Sequence, residues 1–380
     1  MLREQKIAVI GGGVAGLTFA LAAARRGAGV TVFEQAEALG DVGAGLQLSP
    51  NAMRVFAALG LSTAKDLPAN RPGHVEICDM RTGWPLMQQI HGAPGGHPYL
   101  QTHRADLIGH LADAVKAAEG AVELGTAVSA GGRNINGRVF DHVVTANGVR
   151  GRTNRAAARF TGQVAWRALV PGQGEPTHTR VYIGPGRHMV TYPLRGGDLI
   201  NLVGVQNEQD WQGEGWDHDG SADDFRAAFS PACDDLTSLL TRVQQVRRWA
   251  LFAHEEVAMT TPEGRPIIGD AAQTMLPFVA QGAAMAVEDA WSLAAALDGA
   301  CGLEEWSLRR ADRRAAVMRA ALANGRVFHE ARPWFLPFHR LGMWGLGKIW
   351  PGFGATRLKW LYDYDVVSDF GGPIPNVKEP

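Results

Sequence analysis

Cysteine is scarce in this 380-residue chain: Cys78, Cys233 and Cys301 stand far apart and in no Cys-x-x-Cys spacing. That argues against a disulfide framework or a cysteine zinc site and fits a reducing, cytoplasmic setting; no metal site is expected. Net charge is also nearly absent, at −1 with 37 basic and 38 acidic residues, so no electrostatic field calls for nucleic acid or an anionic membrane as partner. Long apolar runs are missing too. No stretch approaches the roughly 18 residues needed for a membrane span, and the first apolar run, Ile7 to Ile10, breaks into glycine too early to be a signal-peptide core. Internal repeats and low-complexity tracts are absent. What remains, 46% hydrophobic and 20% charged, is the composition of a soluble globular protein long enough for two domains, expected as a monomer or homodimer.

Glycine, by contrast, is plentiful, and its placement near the N-terminus is informative. Ile7-Ala8-Val9-Ile10 suits a buried parallel strand and flows into Gly11-Gly12-Gly13-Val14-Ala15-Gly16. Gly11 permits a tight turn, Gly13 leaves the backbone open to a pyrophosphate, and Gly16 lets the next helix lie close to the strand. That helix, opening at Val14 and Ala15, presents unpaired N–H groups to phosphates. Val30-Thr31-Val32-Phe33 returns as a second strand and ends at Glu34-Gln35. The Glu34 carboxylate can accept both ribose hydroxyls and would repel a 2′-phosphate, which points to FAD or NAD rather than NADP. A glycine turn alone would leave a purely structural βαβ unit open; strand, helix, second strand and terminal acid together specify a dinucleotide site.

Further along, residues 49–59 read as a helix with Ser49 as N-cap and Pro50 in its first position. Residues 73–99 change texture to glycine, proline and short strands such as His74-Val75-Glu76-Ile77, as in a departure into a second domain. Helical periodicity returns over 104–118, and 143–146 reads as another buried strand. From 160 to 257 the pattern alternates, suiting a sheet that lies over a ligand. Helices follow over 288–297 and 308–324; in the second, Arg309-Arg310 and Arg313-Arg314 recur at helical spacing and read as a solvated face. The aromatic-rich stretch 334–364, broken by Pro337, Pro351 and many glycines, is expected to pack over the core or in a subunit contact. The alternative is a membrane-surface helix edged by Arg340, Lys348 and Lys359.

Arg265-Pro266-Ile267-Ile268-Gly269-Asp270 is an apolar strand ending in Gly-Asp, followed by Pro277 and Ala280-Gln281-Gly282-Ala283-Ala284. A helix beginning near Gly282 would aim the positive end of its dipole at whatever sits before it. These blocks join Gly43-Ala44-Gly45-Leu46-Gln47-Leu48-Ser49, Thr102-His103-Arg104-Ala105-Asp106, Ala165-Trp166-Arg167 and Tyr362-Asp363-Tyr364-Asp365. The whole resembles the FAD-dependent aromatic hydroxylases of the single-component flavin monooxygenase family, nearest the salicylate and 3-hydroxybenzoate hydroxylase branch. The resemblance implies an α/β fold like that of p-hydroxybenzoate hydroxylase: a Rossmann-type FAD-binding domain, an inserted, mostly antiparallel β-sheet substrate domain and a helical C-terminal region. The ranges expected are 1–72, 100–160 and 258–300 for FAD, 73–99 and 161–257 for substrate, and 301–380 for the remainder. It further implies that Glu34, with Gln35 beside it, holds the adenosine ribose, Arg104 the phosphate region and Asp270 the ribityl chain. Gly45, Asn147 and the helix start Gly282-Ala283-Ala284 complete the FAD contacts. Two positions depart from the family pattern: Asn147 stands where the family has Asp, and Gln273 where it usually has His. An amide keeps its hydrogen bonds but carries no charge, so FAD binding is expected to survive and nicotinamide turnover to be more affected.

In the resembling family NAD(P)H reduces the flavin, dioxygen adds to give a C4a-hydroperoxide, and the distal oxygen passes to an electron-rich ring. No second glycine fingerprint exists for the nicotinamide cofactor, which in that family visits without its own domain; the salicylate-type resemblance favours NADH. A phenol becomes a better nucleophile on losing its proton, so a base is required. His188 is the candidate. Residues four apart on a strand share a face, which puts Tyr192 beside it, and the 3-hydroxybenzoate branch has His and Tyr at this spacing. The expected set is His188 as base, Tyr192 and Gln281 placing the phenol, Pro277 beside the reacting flavin edge and Arg167 on a substrate carboxylate. Leu46, Leu48, Trp166, Val181 and Met189 would shape the pocket. His188 as a structural histidine and Arg167 as a residue stacked on tryptophan stay open, as do an oxidoreductase without oxygen insertion and a flavin-binding protein of regulatory duty.

Overall fold

The computed structural model describes residues 1–40, 44–61, 67–90, 96–128, 132–149, 159–209, 211, 218–254, 257–350, 352–375 and 377; Gly43 and Pro351 lie outside them. The glycine block folds as its residues require, into β1 (Lys6–Ile10), α1 (Val14–Ala24) and β2 (Gly29–Phe33). After it come β3 (Gly45–Leu48), α2 (Pro50–Ala58), β4 (Ala69–Asn70), β5 (His74–Asp79), β6 (Pro85–Ile90), β7 (Leu100–His103), α3 (Arg104–Ala117) and β8 (Ala121–Glu123). A small hairpin, β9 (Asn134–Ile135) and β10 (Arg138–Val139), precedes β11 (His142–Thr145). A parallel sheet of order β11-β1-β2-β8 results. Its strand β1 is apolar from Ile7 to Ile10 because both faces are covered there: Ile7 and Val9 join the core that holds α1, while Ala8 and Ile10 meet Phe33 and Phe140. Thr145 bridges in parallel to Ile267, which lays the strand leading to Gly269-Asp270 along the β11 edge.

The large sheet adds β12 (Arg159–Pro171), β13 (Thr179–Gly184), β14 (Arg187–Leu194), β15 (Leu199–Asn207), β16 (His218–Gly220) and β17 (Val246–Ala253), with α4 (Ala222–Ala228) and α5 (Asp234–Thr241) before the last strand. Its order is β16-β17-β12-β15-β14-β13-β5-β6, antiparallel except where β13 meets β5. Cross-strand pairing fixes which side chains share a face. Trp166, Gly204, Met189 and Tyr182 form one row, on the side that α4 and α5 cover with Phe225, Phe229 and Leu236. The rows on either side, Ala165-Val205-His188-Ile183 and Arg167-Val203-Val190-Val181, turn to the opposite face. There Val205 meets Leu276 and Phe278, and Ile183 meets Phe328.

Among the described residues five α-helices follow: α6 (Gly282–Leu297), α7 (Leu303–Phe328), α8 (Leu336–Ile349), α9 (Phe353–Tyr362) and α10 (Val366–Asp369). The first two are longer than the sequence suggested. The arginine-studded face of α7 is a correction: Arg310 and Arg314 are 0% and 1% exposed. They meet Glu288 and Asp289 of α6, with Arg310 2.9 Å from each, while Arg313 reaches Glu288 at 3.0 Å. Helical spacing reports a shared face but not what lies opposite it, and here it is two carboxylates. Arg309 alone behaves as expected, half-buried with Glu305 and Asp369. Pro337 starts α8 rather than breaking it, since the first turn needs no N–H there. Helices α8 and α9 lie against β6, with Leu358 and Leu361 buried and Phe338 and Leu341 exposed. Among the described residues no helix is long and apolar enough to cross a membrane.

Replacing Arg310 with Met leaves buried carboxylate charge uncompensated and is expected to lower the unfolding free energy by about 3–5 kcal/mol. Lys116→Met, whose partner Asp113 is exposed, should cost less than about 1 kcal/mol. Urea denaturation of the holoenzyme measures both.

Candidate active site

Four loops meet at the carboxyl ends of the parallel strands, where open α/β sheets bind ligands. At the first, Gly11 has φ +112° and a Cβ there would lie 2.4 Å from the Ala146 carbonyl oxygen; a Cβ on Gly16 would lie 2.0 Å from that of Gly11. Gly13 differs: it caps α1, ahead of Val14 and Ala15, and a Cβ on it would meet nothing within 4 Å. The space in front of that helix start is open, as a phosphate requires. At the second loop the Glu34 carboxylate accepts from the Gly12 N–H (2.7 Å) and the Ala36 N–H (2.9 Å), which holds it at the mouth of the glycine turn beside exposed Gln35. At the third, Asn147 follows Ala146 against Gly11, and its Oδ1 is a buried acceptor with no protein partner.

The fourth loop carries Gly269, at φ +68°, so close to α1 that a Cβ would lie 2.7 Å from that of Ala15. Asp270 beside it is exposed yet hemmed in by protein, the situation of a carboxyl on a cleft wall. Desolvation pushes its pKa up, against the pull of Arg314 and Arg104. The N-terminal turn of α6 opens at half-buried Gly282 and Ala283, with Ala284 buried behind them, after Ala280 in a left-handed conformation (φ 51°). Gly45 donates its N–H to Asn201 Oδ1 (3.0 Å) and has no room for a side chain, since a Cβ would lie 2.6 Å from the Tyr192 ring.

On the inward face of the large sheet His188 and Tyr192 do lie on one side, as expected. His188 is 2% exposed, with Phe278 and Phe328 rings at 5.6 and 5.3 Å between centroids. Its Nδ1 is 2.7 Å from Nε2 of His329, whose own Nδ1 is 2.7 Å from Asn207 Oδ1. Burial pushes His188 well below the ordinary histidine value, and His329 to about 4. Both rings are therefore neutral at pH 7. Burial raises the Tyr192 hydroxyl, while Arg167 and a hydrogen bond with Gln47 pull it back. Pro277 is half-buried one residue before Phe278, which touches His188. Val181 lies on this same face, buried in the cluster that contains Phe328.

Several expected pocket residues are elsewhere. Trp166 and Met189 are one residue out of phase with Arg167 and His188, so the period of two sends them into the core under α4 and α5. Leu48 is fully buried in the core of the dinucleotide unit, against which Leu46 packs half-buried. Gln281 does not face a substrate: its Nε2 donates to Ser49 Oγ (2.8 Å) and its Oε1 accepts from Asn51 (3.1 Å), all fully buried. Ser49 thus begins α2 without capping it, its hydroxyl engaged by Gln281 and Asn51. Arg167 stacks on Trp249 at 5.0 Å rather than on adjacent Trp166, which carries Arg248 at 4.6 Å. Sequence reasoning missed His329, at the end of α7, and Asn201, which the pairing Tyr192↔Asn201 puts beside Gly45. Neither sits in a motif. The cavity of about 300 Å³ lined by Arg180, Tyr182 and Asp235 shares only Tyr192 with the site set, and a substrate there would not meet His188.

Known proteins agree with this geometry. Two family profiles match, described as pyridine nucleotide-disulphide oxidoreductase over residues 6–61 and as FAD binding domain over residues 141–323. A 3-amino-4-hydroxybenzoate 2-monooxygenase of Streptomyces platensis is 33% identical over 352 residues, covering 85% of this chain and 88% of that protein. A 3-hydroxybenzoate 6-hydroxylase of Polaromonas naphthalenivorans (strain CJ2) is 30% identical over 401 aligned residues, covering 95% and 96%. A salicylate hydroxylase substrate complex superposes with a TM-score of 0.76 at 23% identity, over 99% of this chain and 98% of that one, a likeness of fold. The chain belongs to the FAD-dependent aromatic hydroxylases of the flavin monooxygenase family. Its cofactor is FAD and its reductant NAD(P)H. The open Gly13 cradle, the orphaned Asn147 acceptor and the Asp270 cleft wall fit that dinucleotide.

Asp270→Ala removes a carboxylate facing the cleft and is expected to weaken FAD binding roughly 10–100-fold, the loss of one charged hydrogen bond; titration of apoprotein by flavin fluorescence measures it. The histidine pair sets a pH dependence. The unfolded chain takes up these protons near pH 6.5 and the folded one does not, so the stability is complete above that value and lost as pH falls toward about 4. Thermal unfolding of the holoenzyme between pH 7.5 and 5 should follow this fall, and His329→Phe should flatten it by roughly one proton.

Proposed function

We propose that this protein hydroxylates a small carboxylated phenol, with FAD, NAD(P)H and dioxygen, using His188 as the base that takes the phenolic proton. The observation that carries this reading is His188 itself. A neutral imidazole stands in an apolar sleeve of Phe278 and Phe328, one ring from the turn at Pro277 that leads into α6. A neutral ring can accept a proton where an imidazolium cannot, and exclusion of water strengthens its interaction with the phenolate that forms. The relatives' activities on hydroxybenzoates and aminohydroxybenzoates agree with such a substrate.

The residues divide by role. Gly11, Gly13, Val14, Ala15 and Gly16 receive the pyrophosphate, Glu34 and Gln35 the adenosine ribose, Arg104 the phosphate region, and Asp270 and Asn147 the polar chain between. Gly45 lines the flavin, and Gly282, Ala283 and Ala284 direct the positive end of α6 toward its electron-accepting edge, which favours negative charge there. When bound, the flavin would pass the electrons of NAD(P)H to dioxygen, one atom of which is inserted into the ring while the other leaves as water. Tyr192 and Arg167 orient the ring, the tyrosine as a hydrogen-bonding group kept protonated by burial, the arginine as counter-charge for a carboxylate. The stretches 1–72, 100–160 and 258–300 form the cofactor half, 73–99 and 161–257 the substrate half, and 301–380 the helical remainder. Asn147 and Gln273 belong to the nucleotide cleft and the loop after Asp270, so their departure from the family pattern bears on cofactor handling and not on the base.

The test is NADH and NADPH consumption against hydroxybenzoates and aminohydroxybenzoates, with mass spectrometry for the inserted oxygen. His188→Ala is expected to lower kcat for hydroxylation by roughly 10²–10⁴-fold with FAD still bound. Turnover equal to wild type would remove the assignment.

A further inference from the structure

We infer that His329 is the partner that orients His188 and then holds the proton His188 removes from substrate. This rests on the assignment of His188 as base, and it stands on the contacts around His329. The ring at 8% exposure is the second link of a chain from buried His188 to exposed Asn207. Asn207 Oδ1, an acceptor, lies nearest His329 Nδ1 at 2.7 Å, while Gln163 Nε2 stands 3.1 Å from that nitrogen and donates to Asn207 Oδ1 (3.3 Å); the shorter contact assigns the proton to Nδ1. With the Nδ1 proton engaged there, Nε2 carries the lone pair and accepts from His188 Nδ1–H. His188 is thereby fixed with a lone pair on Nε2, the form a base requires.

The proton balance is simple. The phenolic proton moves to His188 Nε2, the Nδ1 proton of His188 moves to His329 Nε2, and the outcome is a phenolate and a His329 imidazolium still bound to Asn207. The reverse path returns the proton to the product oxygen. Charge is better held at His329 than at His188 because His329 caps the C-terminus of the 26-residue α7, the negative end of its dipole. The groups facing the pair are Phe278, Phe328, Asn207 and Gln163; among the described residues neither ring forms an ion pair with a carboxylate. Burial lowers both rings in the free protein, and the phenolate that forms beside the pair supplies the opposite charge that favours the imidazolium.

The experiment titrates a nitro-substituted hydroxybenzoate bound to oxidised holoenzyme and reads its phenolate absorption, so no turnover is needed. Three variants are compared with wild type: His188→Phe, His329→Phe and His329→Gln, the last keeping an acceptor for His188 but unable to take a proton. All three are expected to raise the bound probe's apparent pKa by at least one unit, a tenfold loss of phenolate, with probe affinity at low pH within threefold of wild type. His329→Gln titrating like wild type while His188→Phe shifts would overturn the role of His329 and leave the base assignment standing. His188→Phe titrating like wild type would overturn both. Where His329→Phe fails to retain FAD, His329→Gln decides alone.

Discussion

Glu288 and Asp289, adjacent on α6, face Arg310, Arg313 and Arg314 of α7 in a space from which water is excluded, and much of the active-site architecture hangs from that contact. Asp289 also accepts the Gly269 N–H (3.1 Å), while Arg314 donates to the carbonyls of Gly269 (3.0 Å) and Gln273 (2.9 Å). The loop that presents Asp270 is therefore clamped from both sides. Glu288 reaches the other way, accepting from Asn51 (2.7 Å), which with Ser49 holds Gln281 at the start of α6. A single buried network thus sets the relative position of the Asp270 loop, the positive end of α6 and α2. Well-packed apolar residues of the same volume could supply as much stability. What they could not supply is direction: each carboxylate oxygen and guanidinium nitrogen has one arrangement of partners, and that arrangement fixes a loop with few apolar side chains of its own.

The large sheet performs a different task by alternation alone. One residue in two feeds the core beneath α4 and α5, which makes the sheet stiff; the intervening residues are free to carry chemistry on the other face. His188 and Tyr192 are about 13 Å apart along their strand, near opposite ends of that face. The histidine lies among Phe278, Phe328 and His329 from distant parts of the chain, the tyrosine against Gly45 and Gln47 of β3. Close packing explains why Gly45 has no side chain: any Cβ would displace Tyr192.

Local patterns carried much of this. The apolar strand, three glycines of distinct purpose and Glu34 specify their own neighbourhood because a βαβ turn is built from residues close in sequence, and its steric demands are met or violated within about thirty positions. The Gly-Asp block and the start of α6 were legible for the same reason, as was the shared face of His188 and Tyr192. Alternation contradicts the expectation that Trp166 and Met189 line the pocket, since each neighbours a residue assigned to the other face; knowing which face held the core required the helices that cover it.

The amino-acid sequence by itself determined the dinucleotide cradle, the α/β class and the strand that carries His188 and Tyr192 on one face. Tertiary structure alone decided the partners of charged and polar groups far apart along the chain. Arg310 and Arg314 became interior residues because two carboxylates face them, Gln281 turned from substrate to α2 because Ser49 and Asn51 were there, and His329 met His188 across 141 positions. Hydrogen bonds and ion pairs of this kind depend on distances of a few ångström between segments whose separation in sequence carries no information about their separation in space.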